Sequence, residues 1–394
     1  MIGFEEASRL LRENVAALPA EPVTIEEAAG RFLAKDLLAR FDAPRSNVSA
    51  MDGYAVRAGT LENGVPFKVL GQARPGMPFG GEVGVREAVR IFTGAAVPKG
   101  ADCVVMQEYA RAEGDTVSFE EGHGPTRHIR KAGSDFCEGD VLLARGTRLT
   151  PRAMVAAAAA DRASIEVSIQ PRVAIIATGD ELVSPGEAHA TANAIPESAS
   201  HGVAALCEAM GGTVVLRLTG RDELGLLTDL ASEALATADL VVVTGGASVG
   251  DHDLARPMFE ALGLELVFAK VAIKPGKPVW LGKVGDKPVL GLPGNPTSAM
   301  VTARLFLQPL LAAMQGGEAA ANLQFLPMPC AAALPEAGGR ETFIRAIATP
   351  EGLTPAQNQE SGAQAPLAQS DWLIRRPAGS PATARGETVS ALAF

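Results

Sequence analysis

The chain has 394 residues, of which 47% are hydrophobic and 20% charged, a length typical of about two to four domains and a composition typical of a globular protein. Its 35 Lys and Arg residues are outnumbered by 45 Asp and Glu residues, which gives a net charge of −10, the wrong sign for binding a phosphate backbone. We therefore expect no nucleic-acid partner. We also expect no membrane partner and a cytoplasmic location, because the sequence lacks a long apolar run and the start lacks a secretory signal.

The first part of the chain alternates between helical and β patterns. Residues 4–18 place apolar side chains at helical spacing before Pro19, which predicts an amphipathic helix. From residue 44 to 139, short apolar runs are separated by Gly and Pro, which predicts a β-rich region. The alanine-rich stretch 152–160 predicts a further helix.

Residues 172–314 follow the order strand, glycine loop, helix. We predict strands at 173–177, 213–216, 240–243 and 289–292, and helices at 202–210, 223–236 and 297–314. Apolar strands alternating with helices of this length predict a parallel sheet that is covered on both faces. After Gly316 the pattern returns to short strands, such as 342–346 and 372–374.

These patterns predict a multidomain protein of the α/β and β classes. We predict a linking domain from 1–43 and 140–170, a β-rich inserted domain at 44–139, a three-layer α/β domain with a parallel sheet at 171–316, and a small β-barrel-like C-terminal domain at 317–394. The cysteines are scattered and form no CxxC pair, so we expect reduced thiols.

Three glycine-containing loops, 178–181, 244–253 and 291–298, follow predicted strands. The carboxyl ends of parallel strands meet at one edge of a sheet, so these loops should share one crevice. Gly245 and Gly246 can expose successive N–H groups, and residues 296–298 open a helix, so both loops favour a phosphate. The alternative is that Asp180 and Thr297 merely cap helices.

Acidic residues cluster in the same loops. Asp180, Glu181, Asp251 and Asp253, together with Asp222, should converge on the crevice. Carboxylates beside a phosphate site typically hold Mg²⁺, and the alternative is a set of solvated loop charges.

Three lysines surround a Pro-Gly turn in this acidic protein. Lys270, Lys274 and Lys277 precede a buried strand, and their spacing predicts that they bind one oxyanion. The alternative is that they are ordinary solvated lysines.

A series of motifs stands in a characteristic order along the chain: SAMDGYAV at 49–56, IFTGA at 91–95, VPKGAD at 97–102, TGDEL at 178–182, the loop 245–253, KPGKP at 274–278 and LPGNP at 292–296. Together they resemble the molybdopterin molybdenumtransferases, relatives of the gephyrin E domain. The resemblance extends from the first helix to GRETFIR at 339–345, and it makes the α/β domain molybdopterin-binding-like.

The resemblance implies an enzyme that takes adenylylated molybdopterin and molybdate, places molybdenum on the dithiolate, and releases AMP with the help of Mg²⁺. It implies catalytic roles for Asp52, Thr93, Glu181, Asp253 and Lys274. It implies that the metal ligands are Glu181, Asp222 and Asp253. Together with the loops above, it assigns substrate binding to Arg130, Asp135, Asp180, Gly245, Gly246, Ser248, Lys270, Lys277, Pro293, Gly294, Asn295 and Pro296.

The resemblance also implies partners. Relatives form elongated homodimers in which each site lies between two subunits, and the molybdopterin adenylyltransferase and recipient molybdoenzymes are further candidate partners. Two alternative functions are a non-catalytic scaffold that binds molybdenum cofactor and a paralogue that inserts tungstate.

Two positions depart from the family pattern. Residues 197–199 read Glu-Ser-Ala where many members have Asn-Ser-Asn, and residues 365–366 read Ala-Pro where relatives often have Ser-Ser. We expect changed contacts to pterin or phosphate at the first position and to molybdate at the second.

Overall fold

The structure is a computed structural model that describes residues 1–122, 124, 126–245 and 254–394. The described chain divides into two compact units. Their ranges are Met1–Lys35, Arg145–Pro151 and Ser164–Phe394 for unit 1, and Asp36–Ala144 and Arg152–Ala163 for unit 2. The division into four domains stays a prediction. Among the described residues, every helix is too short or too polar to cross a membrane.

The helices are α1 Phe4–Glu13, α2 Pro151–Ala159, α3 Ala199–Ala209, α4 Leu224–Thr237, α5 Pro257–Glu260, α6 Pro296–Thr302, a π-helical segment at Ala303–Leu307, α7 Gln308–Met314 and α8 Gln364–Ala368.

The strands up to the α/β region are β1 Ala20–Thr24, β2 Leu37–Leu38, β3 Val48–Ser49, β4 Gly53–Val56, β5 Phe67–Ala73, β6 Glu87–Ile91, β7 Cys103–Met106, β8 Ala110–Glu113, β9 Thr116–Phe119, β10 Ile129–Arg130, β11 Val141–Leu143 and β12 Ser164–Ser168. Those of the α/β region are β13 Arg172–Thr178, β14 Leu182–Val183, β15 Ile195–Pro196, β16 Thr213–Gly220, β17 Leu240–Thr244, β18 Leu264–Ala269, β19 Ile273–Lys274, β20 Trp280–Val284 and β21 Lys287–Leu292. The remaining strands are β22 Leu326–Pro329, β23 Glu341–Thr349, β24 Gly352–Pro355, β25 Trp372–Arg376 and β26 Thr388–Ala393.

The α/β part of unit 1 is built on a sheet with the strand order β16-β13-β17-β21-β20-β18. β17 is buried along its whole length and β13 along all but its first residue, as expected for strands that are covered on both faces. Successive residues of β13 face opposite layers: Ile175 joins a cluster with Val203 and Leu311, whereas Ile176 joins a cluster with Leu227. The three-layer arrangement is therefore confirmed.

One edge of this sheet is not parallel. β16, β13, β17 and β21 pair in parallel, but β20 pairs antiparallel with both β21 and β18. Only Gly285 and Asp286 separate β20 from β21, and so short a connection permits a hairpin but not a parallel crossover. The parallel sheet that the sequence predicts thus carries two antiparallel pairings at one edge, because β20 runs opposite to its neighbours β21 and β18.

The first helix ends earlier than the apolar pattern suggests. α1 spans Phe4–Glu13 instead of residues 4–18, so the prediction is wrong at this end. Asn14 ends the helix, because its backbone N–H donates to the Leu11 carbonyl and its side chain to the Leu10 carbonyl, bonds that satisfy the free carbonyls of a last turn.

An aromatic cluster joins α1 to the C-terminal part of unit 1. Phe4 makes edge-on contacts with Phe306, Phe325 and Phe343, at ring-centroid distances of 5.8, 6.3 and 5.2 Å. The guanidinium of Arg375 lies over the rings of Phe4 and Phe325. Aromatic pairs of this geometry add stability beyond the area that they bury, so this cluster anchors the N-terminal helix.

The C-terminal sheet has the strand order β19-β23-β25-β26-β22, with β24 also paired to β23. Its pairings are antiparallel except for β19 with β23. β19 contains Lys274, so the lysine-rich turn is tied to this sheet. The predicted class, a multidomain protein of α/β and β parts, is confirmed.

Unit 2 is the β-rich region. Its main sheet has the strand order β7-β4-β6-β5-β9-β8, and only β5 and β6 pair in parallel. The two faces of this sheet bury separate clusters, one around Ile91 and Val104 and the other around Phe67 and Phe119.

We expect Phe4→Ala to lower the free energy of unfolding of unit 1 by about 3–5 kcal/mol, because Phe4 is only 2% exposed and its ring fills the centre of the aromatic cluster. The measurement is urea-induced unfolding followed by circular dichroism. Leu226→Ala is the control. Leu226 is 48% exposed on α4, so its truncation should cost less than about 1 kcal/mol. Equal losses in the two variants would contradict the role of the cluster.

Candidate active site

A crevice of about 830 Å³ opens at the carboxyl ends of β13, β17 and β21 in unit 1. Open parallel sheets bind ligands at this edge. The residues that line it are Thr178, Gly179, Glu181, Leu182, Ile195, Pro196, Glu197, Ser198, Ala199, Asp222, Thr244, Gly245, Arg256, Ala269, Lys270, Lys277, Pro278, Trp280, Pro293, Gly294, Asn295, Pro296, Gly362 and Gln364.

The parallel register brings the three predicted loops together. Ala177 pairs with Thr244, and Thr244 pairs with Leu292, so the three strands end side by side. Gly245 is required here, because its φ is +105° and a Cβ would lie 2.4 Å from the Thr178 carbonyl oxygen. The predicted site residues Gly246, Ser248 and Asp253, as well as Asp251, lie outside the described residues.

The acidic part of the crevice comes from two loops. Glu181 and Asp222 both line it, and the side chain of Asp180 accepts a hydrogen bond from the Asp222 backbone N–H at 3.1 Å. Within the described ranges, no group of three or more potential metal ligands comes together. Mg²⁺ commonly takes only one or two protein carboxylates together with phosphate oxygens and waters, so the donor set of Glu181 and Asp222 fits it.

The basic part of the crevice includes Lys270 and Lys277, which line it together with Arg256. In the part of the chain that the structure describes, neither lysine has an ion-pair partner. Lys274 is exposed on β19 and is not among the lining residues. The structure therefore brings two of the three predicted lysines to the crevice.

The turn that leads into α6 also forms part of the crevice wall. Pro293, Gly294, Asn295 and Pro296 all line the crevice, as the LPGNP motif predicts. Thr297 is buried and donates its hydroxyl hydrogen to the Ala363 carbonyl at 3.0 Å.

The alternative that Asp180 and Thr297 merely cap helices is wrong. Asp180 accepts from Asp222, which lies outside α4, and Thr297 donates to the distant residue Ala363. Asp180 instead connects the loops that follow β13 and β16, and Thr297 connects the first turn of α6 to the residue before α8.

Glu197, one of the two departures from the family pattern, lies two residues before α3. It is 5% exposed, and its carboxylate accepts hydrogen bonds from the backbone N–H of Ser200, at 2.8 Å, and from the Ser200 hydroxyl. A carboxylate is favourable at a helix N-terminus. This position therefore holds the helix and places a negative charge in the crevice wall.

Sequence reasoning missed several lining residues, of which Trp280 is the most informative. Its indole N–H, the Thr178 hydroxyl and the Ser198 hydroxyl are buried and have no hydrogen-bond partner among the described residues. Buried donors of this kind are rare in the absence of a ligand or water. The only sequence feature that could have indicated Trp280 as a lining residue is its position, two residues after the KPGKP motif.

Unit 2 carries two of the predicted catalytic residues, Asp52 and Thr93. β4 and β6 are antiparallel, with Gly53 opposite Ile91, so the residue before β4 meets the loop after β6. The Asp52 carboxylate accepts from the Thr93 backbone N–H at 2.7 Å and from its hydroxyl at 2.8 Å. Gly53 is required, because a Cβ would lie 1.9 Å from the Val105 carbonyl oxygen.

The Thr93 hydrogen bonds hold the pKa of Asp52 below its usual range, because they favour the ionised carboxylate. The two other predicted residues of unit 2, Arg130 and Asp135, are exposed. Arg130 pairs with Val48 in the β10–β3 ribbon, and the Asp135 N–H donates to the Ala43 carbonyl. Hydrogen bonds thus join only Asp52 and Thr93 among these four residues, as far as the described structure extends.

Comparison with known proteins gives the following matches. Family models match at residues 2–160 (MoeA N-terminal region, domain I and II), 174–313 (probable molybdopterin binding domain) and 327–394 (MoeA C-terminal region, domain IV). A molybdopterin molybdenumtransferase of Haemophilus influenzae is 37% identical over 325 residues, which cover 80% of this chain and 78% of that protein. One of Bacillus subtilis is 33% identical, covering 99% of this chain and 94% of that protein.

Among solved structures, the molybdopterin biosynthesis moeA protein from Pyrococcus horikoshii OT3 superposes with a TM-score of 0.86 at 27% sequence identity, over 100% of both chains. The fold and the crevice define a multidomain α/β protein with a candidate ligand site at the carboxyl edge of a sheet. The chain belongs to the molybdopterin molybdenumtransferase family, and it is an enzyme of the transferase class. The resemblance that its motifs predict is confirmed.

We expect Thr93→Val to raise the pKa of Asp52, because the variant loses the hydroxyl donor but keeps the backbone N–H. The wild-type hydrogen bonds stabilise the fold at pH values above the usual Asp pKa, and this contribution is lost as the pH falls through the lowered value. The measurement is a ¹³C NMR titration of the Asp carboxyl carbons. Thr60→Val, whose hydroxyl bonds only the Arg57 carbonyl, should leave the Asp52 titration unchanged, and a similar shift in both variants would contradict the assignment.

Proposed function

We propose that this chain forms molybdenum cofactor by placing molybdenum from molybdate on the dithiolate of adenylylated molybdopterin and releasing AMP. The observation that carries the proposal is one crevice whose lining includes the carboxylates of Glu181 and Asp222 and the ammonium groups of Lys270 and Lys277. Both the oxyanion and the adenylylated ligand are anionic, and such a site can neutralise their charge. The names of the relatives support the same activity.

The phosphate groups have suitable donors in the crevice wall. The backbone turns at Gly245 and at Gly294 approach each other, since a Cβ on Gly294 would lie 3.1 Å from the Gly245 Cα. Backbone without side chains lets a phosphate come close to N–H groups. The buried, unpaired hydroxyls of Thr178 and Ser198 border the same space.

Mg²⁺ belongs to this proposal. Glu181 and Asp222 would hold it, with Asp253 added by the family resemblance. When bound, the ion supplies positive charge that stabilises the phosphate oxygens as the phosphoanhydride is cleaved. The lysines bind and orient molybdate, and the glycine turns orient the nucleotide phosphate. Positioning and charge neutralisation of this kind account for most of the rate enhancement in such transfers.

Asp52 and Thr93 complete the proposed catalytic set. The lowered pKa keeps Asp52 ionised at neutral pH, and Thr93 fixes the orientation of the carboxylate. We also propose a homodimer, a cytoplasmic location, and the molybdopterin adenylyltransferase and recipient molybdoenzymes as partners. These proposals rest on the family resemblance.

The experiment that tests the function measures AMP release from adenylylated molybdopterin by the purified protein. We expect release only when Mg²⁺ and molybdate are both present, together with formation of molybdenum cofactor detected by activation of a cofactor-free molybdoenzyme. Tight binding of the finished cofactor without AMP release would favour a scaffold instead. The same assay with tungstate in place of molybdate tests the tungstate-inserting alternative. That alternative predicts half-maximal AMP release at a lower concentration of tungstate than of molybdate.

We expect Lys277→Ala to raise the molybdate concentration needed for half-maximal AMP release by about 10-fold or more, because a charge-assisted contact contributes about 1.5–3 kcal/mol. Lys270→Ala should act in the same direction. Lys283→Ala, on β20 away from the crevice lining, is the control and should leave the titration unchanged. An unchanged titration in both crevice variants would contradict the role of the lysines.

A further inference from the structure

A buried arginine in the C-terminal sheet holds one wall of the crevice. Arg345 lies on β23 and is 1% exposed. Within the described structure it has no carboxylate partner. A charge buried at this depth must find other hydrogen-bond acceptors.

The acceptors are backbone carbonyls of a single loop. Residues 356–363, between β24 and α8, are called the clamped loop here. The Arg345 guanidinium donates to the carbonyls of Asn358 at 2.9 Å, Glu360 at 3.1 Å and Ala363 at 3.2 Å. One planar group therefore fixes three points of a loop that has no helix or strand of its own.

Gln359 closes the clamp from the other side. Its side-chain oxygen accepts from the Arg345 backbone N–H at 3.0 Å. Its amide nitrogen donates to the carbonyls of Arg345, at 2.8 Å, and Ala356, at 2.9 Å. The loop and the strand are thus joined through both the side chain and the backbone of Arg345.

The clamped loop reaches the crevice directly. Its Ser361 hydroxyl accepts from the Asn295 side chain at 3.1 Å, and its Ala363 carbonyl accepts from the Thr297 hydroxyl as well as from Arg345. Gly362 of the loop, and the next helix residue Gln364, line the crevice. Arg345 itself is not a lining residue, so its effect on the site passes through this loop.

We propose that Arg345 is a positioning residue: it fixes the clamped loop so that Gly362 and Gln364 stand as a wall of the crevice and Asn295 is held at the start of α6. This role deepens the proposed function, because it rests on the crevice being the substrate site. Lysine cannot replace the arginine, since an ammonium group lacks the planar fork that reaches three carbonyls at once.

The chain provides a matched control. Arg376 on β25 is 4% exposed, and its guanidinium likewise donates to carbonyls, those of Pro335, Ser380 and Pro381. It pairs across the sheet with Thr342, on the same strand as Arg345. None of the residues that it binds lines the crevice. Arg376→Lys therefore shows the effect of weakening a buried arginine in the same sheet without disturbing the crevice wall.

The first measurement is amide hydrogen exchange on the ligand-free protein. In Arg345→Lys we expect at least 10-fold faster exchange in residues 356–363 and faster exchange in residues 293–297. In Arg376→Lys we expect faster exchange only near residues 335 and 380–381. Gln359→Ala removes the side chain that bonds the Arg345 backbone, at an exposed position. We expect it to reproduce the exchange pattern of Arg345→Lys, and it replaces that variant in the test if Arg345→Lys does not fold.

The second measurement is AMP release with adenylylated molybdopterin, Mg²⁺ and molybdate. We expect Arg345→Lys and Gln359→Ala to raise KM for adenylylated molybdopterin by about 10-fold or more, with a smaller change in kcat, and Arg376→Lys to leave both unchanged. Unchanged exchange in residues 356–363 would overturn the proposal, and so would faster exchange with an unchanged KM. Failure of the wild-type protein to release AMP would overturn the proposed function instead. In that case, the amide exchange of residues 293–297 in the variants would still decide whether Arg345 and Gln359 hold the crevice wall.

Discussion

The parallel pairing of β13, β17 and β21 is the constraint on which the site depends. Three buried strands run in the same direction and end side by side, with Thr244 paired to both Ala177 and Leu292. Each strand therefore leaves the sheet at the same edge. Residues from three distant parts of the sequence therefore line one crevice.

The chemistry of the crevice follows from what those loops and their neighbours contain. The loop after β13 supplies Glu181, and the loop after β16 supplies Asp222. The antiparallel edge of the sheet supplies Lys270 and Lys277, because β18 and β20 are joined on this side. Acidic and basic groups thus enter the crevice from loops at different strands.

The C-terminal sheet contributes to the same site without belonging to the α/β layers. β19 ties the lysine turn to β23, and Arg345 on β23 holds the loop that carries Gly362. The aromatic cluster around Phe4 and Phe343 packs this sheet together with α1. The buried arginine thereby connects the sheet to the crevice wall, and the rings connect the sheet to α1.

The sequence by itself determined the kinds of elements, the three layers of the α/β region, and the common edge at which the glycine loops begin. It could do so because helices and strands repeat their apolar residues at fixed spacings, and because strands buried on both faces are apolar throughout. The family motifs also pointed to Asp52 and Thr93 as individual residues, and the structure shows that they are hydrogen-bonded to each other. The sequence did not determine the end of α1, the antiparallel edge of the sheet, or the parts played by Glu197, Trp280 and Arg345. The end of α1 and the part played by Glu197 depend on local side-chain hydrogen bonds. Only the tertiary structure decided the other features, since they depend on a hairpin at the sheet edge, on a packed indole, and on carbonyls that reach a buried charge through the folding of separate segments. Such contacts have no period along the chain, and so the pattern of residues around them does not indicate where their partners lie.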